Sequence, residues 1–394
     1  MEVKQIYTLI NSVSSEVLGK TDLVQEDLTG VVDLGNEIFN QNAVDNYVKS
    51  LVNHIGKVVF VNRPYSGKVP SVLMDAWEFG SVLEKISADV PQAEENDTWN
   101  LTDGTEYKQD VFHKPTVSAK FFNSKVTFEV PVSITERQVK ESFSSAAQLN
   151  GFLSMIYNAV EKSMTIKTDA LVMRTINNMI AETLDADKKA FGFVSSTHET
   201  VDYASASTVR CVNLLRLYNE KTGTHLEADV AITTPDFIRY AAYIMGLYSD
   251  RLQTISTLFN VGGKERFTPK DVLHTVLLSD FAAAAKTYLY ADTFHEDNVL
   301  LPKAETVASW QATGKDYAFD NVSKIDVKSA SGATVSISGV LGVMFDRDAL
   351  GVTNLDKRVT TNYNAKAEFF NNYYKFDAGY FNDTNENFVV FFIA

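Results

Sequence analysis

The sequence contains a single cysteine, Cys211, in 394 residues. One cysteine excludes an intrachain disulfide framework and fits a protein made in a reducing cytoplasm. Cys211 lies in a helical pattern with Val212, Leu214 and Leu215. We therefore expect a buried structural thiol and not a nucleophile.

Long apolar runs are also missing. The longest is residues 388–394, far short of the ~20 residues that a membrane span needs. The first twenty residues carry Glu2 and Lys4 and no sustained apolar stretch, so they do not form a secretory signal. The sequence predicts a soluble, cytoplasmic chain with no membrane partner.

Positive charge is scarce, and the formal net charge is -14. Such a chain repels a phosphate backbone, and no cluster of Lys and Arg with interleaved aromatic residues reverses this locally. Sequence-specific nucleic-acid binding is not expected. With 45% hydrophobic residues, the chain has enough apolar side chains for the cores of two or three domains.

Motifs for catalysis and cofactor binding are absent. The sequence has no HExxH, paired cysteine, EF-hand, P-loop, GxSxG or dinucleotide motif, and no two of its six histidines stand at metal-ligand spacing. Asp346 and Asp348 resemble a catalytic pair, but their place after a strand favours a local ion pair and a turn. His113 is interpreted as a partly exposed strand residue. We predict no catalytic residue, no cofactor and no metal.

One stretch organises the rest of the chain. Residues 152–191 contain neither Gly nor Pro. Ser133 and Glu136 offer a capping box at which a helix begins. The pattern predicts one helix over 152–184, roughly 50 Å long, against an alternative of two helices broken near 162–165. Its apolar residues recur at steps of three and four: Leu149, Phe152, Leu153, Ile156, Val160, Met164, Val172, Ile176, Met179 and Ile180.

Three other segments have apolar faces without an evident partner. Residues 1–20 predict an amphipathic helix with too little bulk to be a domain, so it should pack on something else. A short helical segment around 76–86 precedes strand-like runs at 107–112 and 117–132, which flank an acidic stretch and predict an extended hairpin. A lone hairpin is marginal in water, so it needs a partner surface. The aromatic run 369–376 predicts core or interface packing.

The remaining segments alternate between strand and helix. A buried strand is predicted at 229–234, and Pro235 then opens a helix that ends near residue 248. Another strand is predicted at 272–278, and the end of the chain is rich in strands at 334–345 and 388–393. These patterns predict an α/β or α+β domain over 193–330 and an α+β chain overall.

The order of these parts resembles a known family, the major capsid proteins of tailed bacteriophages with the Hong Kong 97-type fold. The most specific match is residues 339–351 (GVLGVMFDRDALG), followed by 360–364 (TTNYN) and 379–381 (GYF). Residues 121–124 (FFNS) and 133–137 (SITER) are similar to one such group. The resemblance covers almost the whole chain.

The resemblance implies a structural protein, not an enzyme, with a Hong Kong 97-like α+β fold. Its parts would be an N-terminal arm (1–55), the start of a peripheral domain (56–88), an extended hairpin loop (89–130), a spine helix (131–192), an axial domain (193–335) and C-terminal strands of the peripheral domain (336–394). Such subunits assemble through pentamers and hexamers into an icosahedral shell around double-stranded DNA. The candidate interface residues are Ile6, Leu9, Val13, Trp99, Phe112, Phe121 and Phe122.

The implied partners are other copies of the chain, with scaffolding, portal and decoration proteins as further candidates, in a virion made in the host cytoplasm. Family members often carry a cleaved N-terminal scaffolding segment, whereas this chain begins with a short arm, so we expect a separate scaffolding protein or none. No inter-subunit cross-link is assigned to Lys108, Lys114 or Lys120. Two alternatives remain, an encapsulin-like compartment that encloses protein cargo and an elongated enzyme or binding protein that forms only a monomer or small oligomer.

Overall fold

The computed structural model describes residues 3–19, 24–25, 30–40, 46–47, 50, 69–74, 83–88, 91, 93, 95–107, 112–114, 116–142, 146–192, 201–290, 304–311 and 316–394. The chain divides into two units. Unit 1 combines Met1–Trp77, Ser124–Val172 and Val352–Gly379, and unit 2 combines Glu78–Asn123, Met173–Gly351 and Tyr380–Ala394. Each unit is therefore assembled from separated segments of the chain.

Helices and strands are numbered in chain order. The helices are α1 (Val3–Leu18), α2 (Val31–Asn40), α3 (Glu136–Ser142), α4 (Ala146–Ala186), α5 (Lys188–Phe191), α6 (Leu214–Thr222), α7 (Ala228–Ala231), α8 (Pro235–Arg251), α9 (Ser279–Tyr290) and α10 (Phe319–Val322). The strands are β1 (Leu73–Met74), β2 (Leu83–Ala88), β3 (Val117–Phe122), β4 (Lys125–Thr135), β5 (Cys211–Asn213), β6 (Leu273–Leu278), β7 (Glu305–Val307), β8 (Ile325–Lys328), β9 (Thr334–Ile337), β10 (Val340–Asp346), β11 (Leu350–Asn364), β12 (Phe369–Asn382) and β13 (Phe388–Phe392).

The long helix predicted from the apolar repeat is confirmed. Helix α4 runs without a break for 41 residues, so the alternative of two helices broken near 162–165 is wrong. The hydroxyl of Thr165 donates to the carbonyl of Glu161, and that of Thr168 donates to the carbonyl of Met164. The polar residues near the expected break are thus satisfied inside the helix, while Met164 stays fully buried.

The capping box lies two residues further along the chain than the sequence predicted. Strand β4 continues through Ser133, whose hydroxyl donates to Asn371 Oδ1 in β12 at 2.6 Å. Thr135 Oγ1 instead accepts from the backbone amide of Gln138 at 3.2 Å, and Gln138 Oε1 accepts from the amide of Thr135 at 3.0 Å. These reciprocal bonds form a capping box at the start of α3. Strand pairing with β12 decides where the helix begins.

We expect Thr135→Ala to lower the free energy of unfolding by about 1 kcal/mol, the usual cost of losing a hydroxyl cap. Urea unfolding followed by circular dichroism measures this. Ser133→Ala, two residues earlier and outside the cap, serves as the control and should cost less than half as much. A larger loss from Ser133→Ala would contradict the position of the cap.

Unit 1 joins a sheet to the helices of the arm. Its strand order is β1, β11, β12, β4, with β12 antiparallel to β4 from Phe369↔Thr135 to Gly379↔Lys125. The buried cluster on this sheet contains Ile10 and Val13 of α1, Phe370 and Tyr374 of β12, and the first half of α4. The arm and the aromatic run, for which the sequence suggested an external partner, thus pack within one unit of their own chain.

Unit 2 is built on a five-stranded sheet in the order β5, β13, β10, β6, β7. Its central strands β10 and β13 are buried at every position. The continuous run predicted at 388–393 is confirmed, whereas the alternation expected over 334–345 holds only in β9. One face is covered by α6, α8 and α9 through residues such as Phe237, Met245 and Phe281. The closing segment 336–394, expected to belong to one domain, is divided between the two units because β10 and β13 pair with β6 and β5.

The strand predicted at 229–234 is wrong. Residues 228–231 form the short helix α7, and a turn then leads to Pro235 at the first position of α8, as the proline predicted. The hydroxyls of Thr233 and Thr234 both donate to the carbonyl of Val230, which closes this turn. Local hydroxyl bonds of this kind compete with strand pairing and override the β-branched composition.

The extended hairpin exists, but its strands differ from those predicted. Tyr107 and Phe112 lie in no strand, and residues 108–111 fall outside the described residues. The run 117–132 is split at Asn123 and Ser124 into β3 and β4, which belong to different sheets. The partner of β3 is β2, in the segment predicted as helical, paired from Leu83↔Phe122 to Ala88↔Val117.

Candidate assembly surface

The β2–β3 ribbon has two chemically different faces. Because side chains alternate along a strand, Lys85, Ser87, Ser118, Lys120 and Phe122 point inward, and these residues are partly buried. The opposite positions are all exposed. They are Glu84, Ile86, Ala88, Val117, Ala119 and Phe121.

The outward face is mostly apolar. Ile86 is 66% exposed, Val117 59% and Phe121 62%. The cross-strand pairing places Ala119 opposite Ile86, so these side chains form one continuous strip. This arrangement inverts the usual amphipathic strand, in which the apolar side faces the body of the protein. Exposed apolar strips of this kind are typical of interaction surfaces.

The loop beyond the strands continues the apolar surface. Trp99 is 94% exposed and Phe112 85% exposed. The loop is held by its own bonds: the amide of Thr98 donates to Asn96 Oδ1 at 2.9 Å, and the amide of Thr102 donates to the hydroxyl of Tyr107 at 3.0 Å. The indole of Trp99 is therefore presented to solvent from a turn with defined local geometry.

The structure separates those predicted interface residues that it describes into three groups. Trp99, Phe112 and Phe121 are exposed on the hairpin. Phe122 points inward, with its ring centroid 5.1 Å from that of Phe381. Val13 is fully buried in the core of unit 1, so it is withdrawn as an interface candidate. The side chains of Ile6 and Leu9 lie outside the described residues.

Ile86 and Val117 also belong to this surface and were missed by sequence reasoning. Val117 was assigned to a strand, but its face was not assigned, and Ile86 was placed in a helical segment. Residues 83–88 (LEKISA) show no clean period-two pattern, because each face of the strand mixes polar and apolar side chains. The segment is recognised as a strand only from its pairing with residues 117–122.

Ion pairs hold the inward face of the hairpin against the rest of unit 2. Lys85 Nζ lies 3.0 Å from Asp383 Oδ2 and 2.7 Å from Glu386 Oε1. Lys120 Nζ lies 2.9 Å from Asp383 Oδ1. Arg266 Nε reaches Glu386 Oε1 at 3.3 Å. The carboxylates are nearly buried, with 3% of the Asp383 side chain and 10% of the Glu386 side chain exposed.

These charges shift the pKa values of their partners. Burial opposes ionisation of Asp383, but the charge of Lys85 and the hydrogen bond from Lys120 outweigh it and hold the pKa of Asp383 below its ordinary value. Burial also disfavours the charged form of Lys85, yet its bonds to Glu386 and Asp383 raise the pKa of Lys85 above its ordinary value. Both groups are therefore charged at neutral pH.

The lowered pKa of Asp383 gives a pH prediction. Its contribution to stability is fully present above the unfolded pKa of about 3.9 and is lost as pH falls through the lower folded pKa. We therefore expect Asp383→Asn to be less stable than the parent at pH 7, and this difference to shrink at pH 3. Urea unfolding at both pH values measures the difference. A difference that stays constant from pH 7 to pH 3 would contradict the assignment.

Among the described residues no metal site is found, and Asp346 has a local structural role. No group of three or more His, Cys, Asp or Glu side chains among them is placed to hold a metal ion. Asp346 Oδ2 accepts from Thr268 and Asp346 Oδ1 accepts from the amide of Asp348, which confirms the turn but not the ion pair that was expected with it. No described helix is long and apolar enough to cross a bilayer.

The environment of Cys211 is that of a structural thiol. The residue lies in strand β5 and not in the helical pattern expected from its neighbours, because helix α6 begins only at Leu214. Its side chain is fully buried, as predicted, and burial raises the pKa of the thiol well above the ordinary value. A thiol of this kind stays protonated at neutral pH and is a poor nucleophile.

Solved structures with a similar fold are phage capsids. The capsid structure of Staphylococcus phage Andhra matches with a TM-score of 0.51 at 9% sequence identity, covering 84% of this chain and 85% of that chain. The structure of head fiber and inner core protein gp22 of native bacteriophage P68 matches with a TM-score of 0.48 at 9% identity, over 84% and 85% of the two chains. The match to the Andhra capsid identifies the fold as that of phage capsid proteins, the Hong Kong 97-like fold predicted above.

The sequence match identifies the family to which the chain belongs within this fold. The model of the family described as Phi29-like phage major capsid protein matches residues 9–392, almost the entire chain. The chain belongs to this family, and its role is structural, as part of a phage capsid. The encapsulin and enzyme alternatives are not favoured by these findings. No curated protein sequence matches the chain.

Proposed function

We propose that this chain assembles through rings of five and six copies into a closed icosahedral shell around double-stranded DNA. The observation that carries the proposal is the inverted hairpin, which turns Lys85 and Lys120 inward and exposes Ile86, Val117 and Phe121. A strip of apolar side chains at a subunit interface is buried on assembly and contributes most of the binding energy there. A second copy of the chain is the partner that a shell supplies at every subunit.

The parts of the chain then take the following roles. The hairpin, with its loop inside the range 89–130, lies over a neighbouring subunit, and α4 is the spine of a peripheral domain. Unit 2, which contains most of the range 193–335, supplies an axial domain that gathers around the centres of the rings. Scaffolding, portal and decoration proteins are the further partners we propose, with synthesis in the host cytoplasm and assembly into the virion.

The proposal of a DNA container agrees with the charge of the chain. A net charge of -14 disfavours tight contact with phosphates, so packed DNA is enclosed without being bound sequence-specifically. A steep, salt-dependent affinity of the unassembled subunit for duplex DNA would contradict this part of the proposal.

Sedimentation and electron microscopy of the native particle test the proposal. We expect closed shells or rings of five and six subunits, with nuclease-protected DNA in the particles from infected cells. A homogeneous monomer or dimer at high concentration, both alone and with the other head proteins, would contradict assembly. Shells that enclose only a protein cargo would contradict the role in packaging DNA.

A further inference from the structure

Two lysines that face each other across the hairpin form the ion pairs with carboxylates in the rest of unit 2. Lys85 and Lys120 are direct cross-strand partners on the inward face. Like charges directly opposite each other destabilise a strand pair. The pair is compatible with a closed hairpin because Asp383 bridges both ammonium groups with its two oxygens.

The turn that carries the carboxylates is fixed by the body of unit 2. The amide of Asp383 donates to the carbonyl of Ala349 at 2.6 Å, and the amide of Gly262 donates to the carbonyl of Thr384 at 2.8 Å. Asn387 Nδ2 donates to Thr268 Oγ1 at 3.1 Å. The acceptors for the two lysines are therefore held in place by the unit's own hydrogen bonds.

The apolar contact of the β2–β3 ribbon lies at one of its ends. Phe122, at the end of β3, packs on Phe381, and the lysines follow two residues further along each strand. Beyond them, Ser87 and Ser118 line a small cavity of about 130 Å³ under the ribbon. The part of the inward face beyond Phe122 is thus polar, and water can replace its contacts if the ribbon lifts.

We propose that Asp383 and Glu386 form a charge latch, which fixes the angle between the hairpin and the rest of unit 2. Opening the latch allows this angle to change as the outward face of the hairpin engages a neighbouring copy. Only the identity of the engaged partner rests on the proposed function. Opening separates Lys85 and Lys120 from the carboxylates and exposes polar groups, while the ring contact at Phe122 remains. The charged groups that face each other in the latch are Lys85, Lys120, Asp383, Glu386, Arg266 and, next to Lys120, Glu182.

The test labels a thiol placed under the ribbon. Ser118→Cys is introduced into the full, unassembled chain, and its rate of reaction with a maleimide is measured. We expect the rate to rise at least tenfold when Asp383→Asn and Glu386→Gln are added. The second variant, Lys85→Met with Lys120→Met, leaves the turn that holds the carboxylates intact and should give a similar rise.

Two controls separate lifting of the hairpin from unfolding. Cys211 is fully buried and should remain unlabelled while the thiol introduced by Ser118→Cys reacts. Lys114→Met, an exposed position in the same hairpin, should leave the rate unchanged. Labelling rates within twofold of each other in the parent and in both double variants would overturn the latch. Failure of the latch is distinct from failure of the proposed function, because labelling is measured on the subunit and shell formation is not involved.

Discussion

Gly339→Ala is expected to destabilise unit 2 by about 4 kcal/mol or more, which for a marginally stable domain means loss of soluble, folded protein. Gly339 has a φ of +86°, a conformation that costs an L-residue roughly 1–2 kcal/mol. A Cβ at this position would also lie 2.0 Å from the carbonyl oxygen of Ile393. The backbone has little room to move away, because the amide of Ile393 donates to the carbonyl of Gly339 at 2.9 Å.

A second glycine provides a matched control. Gly332 has a φ of +85°, but no atom lies within 4 Å of the position that a Cβ would occupy. Gly332→Ala should therefore cost only the conformational strain of roughly 1–2 kcal/mol. Chemical unfolding followed by the fluorescence of Trp310, whose indole is buried and donates to the carbonyl of Val340, measures both variants. Equal losses would show that the contact with Ile393 is relieved by local movement.

Patterns confined to one element were predicted well from the sequence. The long helix follows from an apolar repeat carried through α4, which local residues alone establish. The continuous apolar run at 388–393 predicts the buried strand β13, and Pro235 marks the start of α8. The capping box was misplaced by two residues because β4 pairs with β12 as far as Thr135, and this pairing involves a segment more than two hundred residues away.

Pairing between distant segments was not predictable in the same way. The sequence shows that α1 and the run 369–376 each have an apolar face, but not that the two faces share one core. Because the shared core was not visible in the sequence, both segments were expected to pack on an external partner. Val13 was consequently expected at an interface, although it belongs with Tyr374 to the buried cluster of unit 1.

Ion pairs between distant residues of the charge latch could not be predicted from the sequence either. Lys120 and Asp383 are 263 residues apart, and nothing in either local pattern indicates that they meet. Lys85 stood in a segment interpreted as helical, where it would be an ordinary surface charge. Trp99, Phe112 and Phe121 were named from the sequence as interface candidates, and the structure exposes all three.

Replacing Trp99, Phe112 and Phe121 together with glutamine is expected to leave the subunit folded and to reduce shell formation at least tenfold. All three side chains are largely exposed, at 94%, 85% and 62%, so their loss removes little burial from the subunit itself. Large aromatic anchors at an interface typically contribute about 2 kcal/mol or more each, and each step of about 1.4 kcal/mol changes an association constant about tenfold. The fraction of protein that sediments as particles, in a mixture that supports assembly of the parent, measures the effect.

Tyr317→Gln is the matched control, since Tyr317 is 81% exposed and lies outside the hairpin. It should assemble like the parent, and the circular dichroism of both variants should match that of the parent. Normal assembly of the triple variant would show that the outward face of the hairpin is not a contact between subunits. An equal loss in both variants would mean that assembly responds to exposed aromatic side chains in general, and the inverted ribbon would then need another explanation. A loss confined to the triple variant would assign the contact to the hairpin, because no other part of the described surface has been changed.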